Sequence, residues 1–118
     1  MPATAPDSRD LLAALDEVVE SLEHACAEGQ RAAECARSLR EQCGQGTSWR
    51  ELLAGADEAP LVRQVAEVLR NLGEASGRLR RAEARALHAE GLTTESIARL
   101  FGVTRQRVSV LLSSSRRG

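Results

Sequence analysis

Arg105, Gln106, Ser109, Val110 and Ser113 share one side of any helix drawn through them, because their intervals of one, three and four residues match the helical repeat. Arg presents a rigid fork of N–H donors, and the Gln amide both donates and accepts. Ser adds a hydroxyl and Val a methyl surface. Such groups suit the edges of DNA bases: Arg can grip guanine O6 and N7, Gln adenine N6 and N7, and a valine can touch a thymine methyl. Close by stand Thr93, Thr94, Thr104, Arg107 and Arg116, whose types suit phosphate oxygens.

Two short helices would hold these side chains. In GLTTESIARLFGVTRQRVSVLLSS, residues 91–114, Ile97, Ala98, Leu100 and Phe101 are apolar at helical spacing, with Thr93 before them as a cap. Gly102 follows where a chain leaving a helix often needs positive φ, and Val103 can plug the corner. Thr104 then caps a second helix that buries Val108, Leu111 and Leu112, which turns Arg105, Gln106, Ser109, Val110 and Ser113 outward. Ala98 lies four residues before Gly102, Val108 six after it, and Leu111 three further on. These types at these spacings, with the phrase FGVTRQRV, resemble the helix-turn-helix of bacterial sigma-factor region 4, a type shared with resolvases and small regulators. The resemblance covers the last third of the chain. A plain αα-hairpin that only packs is the alternative for the same residues.

The resemblance implies a recognition helix over 105–115 that enters the major groove with its N-terminal part. It implies base reading by Arg105, Gln106, Ser109, Val110 and Ser113, and phosphate contacts from Thr93, Thr94, Thr104, Arg107 and Arg116. Which of Arg105 and Gln106 reads a base stays open. Region 4 domains also bind proteins, so RNA polymerase or a sigma-type factor is a second class of partner.

Charge points the same way. The chain of 118 residues has a formal net charge of −1, which conceals an asymmetry. From Arg78 onward nine Arg face three Glu, a balance of +6, whereas residues 1–77 carry −7. A polyanion would meet the C-terminal part and be repelled by the rest. Every basic residue is Arg. With the abundant Ala, this hints at a GC-rich bacterial genome. Cys26, Cys35 and Cys43 fit no ligand spacing and read as reduced thiols, with Cys43 a small buried hydrophobe. No cofactor, metal site or catalytic residue is expected, since no Cys/His pair, paired-carboxylate site or glycine-rich phosphate loop stands out. No apolar run reaches membrane-span length, and residues 1–6 lack the form of a signal peptide. The expectation is a cytoplasmic protein, nucleoid-associated when bound.

The rest of the chain reads as long helices. Residues 1–7 are expected to be a disordered tail. Leu11, Leu15, Val18, Leu22, Ala25, Gly29, Ala32, Ala36, Leu39 and Cys43 alternate steps of four and three, a heptad seam of coiled-coil type for one helix over about 8–43. A break at Gly29–Gln30 is the alternative. Ser48 and Glu51 form a capping box for a short helix at 49–54, with Trp49 a packing anchor that seals the turn. From Pro60 the seam resumes at Leu61, Val65, Val68, Leu72, Ala75, Leu79, Ala82 and Ala86, giving a helix over about 60–90. Folded antiparallel with Cys43 near Leu61, the seams set Gly29 level with Ala75, a level of small residues. Leu12, Val19, Val62 and Leu69 lie one position off the seams and would stay partly wet in a monomer.

The fold class is therefore all-α: a long antiparallel helical hairpin, residues 8–78, serving dimerisation, with a C-terminal helix-turn-helix, 79–118, continuous with the second long helix. The function expected is a sequence-specific, homodimeric transcriptional regulator that binds double-stranded DNA. A protein-interaction module and a sequence-independent DNA coat are the alternatives.

Overall fold

The computed structural model describes residues 6–55 and 59–114. The disordered tail expected at 1–7 lies mostly outside them, and its last two residues, Pro6 and Asp7, are already helical. The chain is all-α, with no strand among the described residues. Its helices are α1 (Pro6–Gly44), α2 (Trp49–Leu52), α3 (Pro60–Ala89), α4 (Thr94–Phe101) and α5 (Arg105–Ser114). Pro6 and Pro60 each occupy a first helical position, where a missing N–H costs nothing and φ is already set. Among the described residues no proline falls inside a helix. α1 passes through Gly29 without a break, at a cost of about 1 kcal/mol relative to Ala.

Two compact units are distinguished: residues 1–19 with 74–118, and residues 20–73. Within the first of these the early turns of α1 pack with the end of α3. Arg78 pairs with Glu17, and the Arg85 guanidinium lies 3.8 Å from Asp10. Rising numbers on α1 meet falling numbers on α3, so the pair is antiparallel there. In the 20–73 unit the same sense holds, with Gly29, Ala32 and Ala36 of α1 beside Leu61, Val65 and Leu69 of α3.

The register of that pair corrects the sequence reading. Gly29 and Ala36 share one trough with Leu61, Val65, Val68 and Leu69, a lining that includes neither Ala75 nor Cys43. The residues between α1 and α3 are long enough to let α3 start well back along α1. Nothing lies within 4 Å of a Cβ built on Gly29 or Gly73, so no close approach of backbones occurs at either.

The seam is also rotated. Leu11, Val18, Ala25, Ala32 and Leu39 turn inward as read, but the positions between them are filled by Ala14, Ser21, Glu28, Cys35 and Gln42. Leu15, Leu22, Gly29 and Cys43 are exposed, and so is Val65 on α3. The physical reason is the width of the apolar arc: α1 carries two adjacent apolar stripes, and one hairpin partner can cover only one edge of them. Cys43 is therefore no core residue, and Cys26 is exposed too. Trp49 is 49% exposed and α2 buries none of its side chains, so Trp49 is not the anchor expected of it.

Candidate nucleic-acid interface

The C-terminal helices owe their placement to two turns of one design. α3, α4 and α5 follow one another with only a few residues between. At the end of α3, Leu92 N–H donates to Leu87 O at 3.1 Å and Gly91 N–H to His88 O at 3.0 Å. At the end of α4, Val103 N–H donates to Ala98 O at 3.0 Å and Gly102 N–H to Arg99 O at 3.3 Å. Both are Schellman motifs, and both need left-handed backbone, supplied by Gly91 at φ +101° and Gly102 at φ +67°. The residue after each glycine, Leu92 or Val103, packs onto the core beneath. Residues 42–47 close α1 by the same bonds.

The opposite ends are capped by hydroxyls. Thr93 Oγ1 accepts from Ser96 N–H at 3.1 Å and donates to Ser96 Oγ at 3.0 Å. Thr104 Oγ1 accepts from Arg107 N–H at 3.1 Å. Each cap is worth about 1 kcal/mol. Both turns are thereby fixed, and with them the angle at which α5 leaves α4.

Beneath the turns lies the one cluster of large, fully buried side chains among the described residues. Ile97 and Val108 are wholly inaccessible, joined by Leu111, Ala98 and Ala84, with Leu87, Leu92, Phe101, Val103 and Leu112 packed around them. Ala84 was not legible as core, because an alanine on a long helix gives no sign of its side. It lies on an α3 face separate from Ala82 and Ala86, which are buried outside this cluster. Leu100, apolar at helical spacing, points to solvent at 66% exposure. Arg80 of α3 lies over the Phe101 ring, 5.9 Å from its centroid. That cation–π contact ties α3 to α4, and sequence spacing alone did not single Arg80 out.

Because Val108 and Leu111 are buried and Leu112 half-buried, the other side of α5 faces water. Arg105, Gln106, Ser109, Val110 and Ser113 are all exposed there, Val110 at 46%. The Ser113 hydroxyl donates to Val110 O at 3.1 Å, so in this arrangement its proton is engaged within the helix. Arg107 and Thr104 are exposed and Thr94 half-buried. Thr93 is exposed, and its hydroxyl is engaged with Ser96 as both acceptor and donor. Arg116 and Ser115 lie outside the described residues. Arg99 is exposed on the last turn of α4 and belongs to the same cationic stretch.

Among the described residues no group of three His, Cys, Asp or Glu is placed to hold a metal ion. No described helix is long and apolar enough to cross a membrane. No protein-family model matches this chain, and no match is found among curated proteins or solved structures.

Proposed function

We propose that this protein is a sequence-specific DNA-binding transcriptional regulator, acting as a dimer, with α5 as the recognition helix of a helix-turn-helix. The observation that carries the reading is the division of α5. One side is locked into the core by Val108 and Leu111, and the other offers Arg105, Gln106, Ser109, Val110 and Ser113 to solvent. That exposed side belongs to a stretch with a balance of +6, as phosphate attraction requires. At the start of α5 the N–H groups of Arg105 and Gln106 have no partner within the helix, and the helix dipole adds positive potential there. A phosphate at that end would fix the register in which Arg105 and Gln106 meet base edges. Arg107 and Thr104 supply further backbone contacts, and Arg99 extends them onto α4. In the cell this reading places the chain in the cytoplasm, on the nucleoid when bound.

Selection of bound sequences from random duplex DNA tests it. An enriched palindrome is the expected result. Binding without enrichment would replace the reading with a DNA coat. No binding would replace it with an interaction module for RNA polymerase or a sigma-type factor. Arg105→Ala and Gln106→Ala are each expected to reduce discrimination by about 1–3 kcal/mol for every base edge that the missing side chain would have gripped. Arg107→Ala should weaken all duplexes alike and lower the salt slope by about 1.

A further inference from the structure

Given the DNA reading above, on which this rests, we propose that Arg80 of α3 binds a DNA phosphate beside the turn between α4 and α5. The contact surface is then three helices wide, and α3 is part of it.

The first observation is where Arg80 stands. Arg80, Ala84 and Leu87 are separated by four and three residues on α3, so they form one helical stripe. Ala84 and Leu87 belong to the core beneath α4 and α5, and the stripe therefore faces those helices. Arg78 and Arg85, which pair with Glu17 and Asp10 of α1, lie on another side of α3. Arg80 is exposed where the stripe leaves the core, with its guanidinium over the ring of Phe101, the last residue of α4. Arg105, the first residue of α5, follows Phe101 by four residues. The guanidinium thus flanks the turn that launches the recognition helix.

The second observation is that acids close in sequence do not take this guanidinium. Glu83 lies three residues from Arg80, the interval (in the opposite order) at which Arg31 pairs with Glu28 and Arg70 with Glu67. Arg99 has Glu95 four residues before it, the order that favours an ion pair on a helix. Among the described residues neither Arg80 nor Arg99 pairs with a carboxylate. A guanidinium that lies over an aromatic ring keeps its N–H edge for a phosphate oxygen pair. The ring also restricts its rotamers beforehand, so less freedom is lost when an anion binds.

The third observation is what the turn itself can offer. The N–H groups of Gly102 and Val103 are committed to Arg99 O and Ala98 O. A phosphate beside this turn therefore needs side-chain donors, and Arg80 and Arg99 stand at it. The other end of α4 is less inviting, because Glu95 sets a negative charge in the first turn, where a helix start would otherwise attract an anion. A DNA strand is thus drawn toward the end of α4. There Arg80 adds a contact from α3, while Arg105 begins the base-reading side of α5.

Binding of the full chain to short random-sequence duplexes, titrated across a range of salt, is the test. Arg80→Ala should weaken every duplex by about tenfold at about 0.1 M salt and lower the salt slope by about 0.9, the signature of one lost phosphate contact. Arg80→Lys keeps the charge and should keep the slope. Arg50→Ala, an exposed change on α2 in the 20–73 unit, removes the same charge and should leave the slope as it was. A role confined to packing α3 on α4 would leave the slope of Arg80→Ala unchanged, and that result would overturn the proposal. So would an equal fall in Arg50→Ala, which would reduce the effect to net charge. Failure of the unaltered chain to bind any duplex would end the DNA reading and this proposal together, and it would be seen before any variant is made.

Discussion

The C-terminal helix cluster and the middle of the helix pair are made from the same few residues, chiefly Ala, Leu and Val, and reach different degrees of closure. Around α4 and α5 three helical segments meet, and Ile97 and Val108 are sealed from water. In residues 20–73 two helices meet, and Leu22, Val62, Val65 and Leu69 stay wet. The difference is geometric. Two helices enclose a line, and a line accommodates one narrow stripe from each. A third helix encloses a volume, into which a branched side chain can be placed whole. Burial is therefore set here by how many helices converge, more than by how apolar the sequence is.

The sharpest way to break this comparison is to truncate one residue of each kind. Ile97→Ala should lower stability by about 2–5 kcal/mol, since it empties a closed core. Leu69→Ala should cost about 0.5 kcal/mol or less in dilute solution, where its side chain is already wet. Denaturant midpoints read both. Equal effects would mean that the outer face is covered even when the protein is dilute.

Backbone changes give smaller effects of opposite sign in the two regions. Gly102→Ala should cost about 1–2 kcal/mol, because φ there is +67° while nothing within 4 Å obstructs a Cβ. The whole of that cost would be conformational strain. Thr93→Ala should cost about 1 kcal/mol by removing the cap, and Thr93→Ser should restore most of it. Gly29→Ala should instead gain about 0.5–1 kcal/mol, being an interior helical position with open space around it. Thermal melts at fixed protein concentration measure all three. A destabilised Gly29→Ala would show that a neighbour comes closer to that position than the single chain provides.

The features that sequence made legible are those decided within a few residues. Hydroxyls at Ser48, Thr93 and Thr104 and glycines at 91 and 102 act on their own turns, so their neighbours suffice to place them. The exposure of Arg105, Gln106, Ser109, Val110 and Ser113 was legible for the same reason: Val108 and Leu111 fix the other side of a ten-residue helix. The register of α1 against α3 was not. Leu11 through Ala36 offer two interleaved stripes of almost equal apolarity, and nothing local says which one the neighbour takes. Ion pairs such as Arg85 with Asp10 join residues too distant in sequence for any spacing rule to connect. Ala84 was invisible because a methyl group is tolerated on every side of a helix.

Trp49 has a practical consequence for watching this molecule unfold. It is the single tryptophan, and there is no tyrosine, so nearly all intrinsic fluorescence arises from the first residue of α2, in the 20–73 unit. The closed core around Ile97 and Val108 contributes no such emission. Circular dichroism, by comparison, sums over every helix. An emission curve that precedes the dichroism curve would therefore reveal separate unfolding of the two units, whereas superposition would indicate a single cooperative transition. The chain carries its own position-specific optical reporter in the region with the least buried surface.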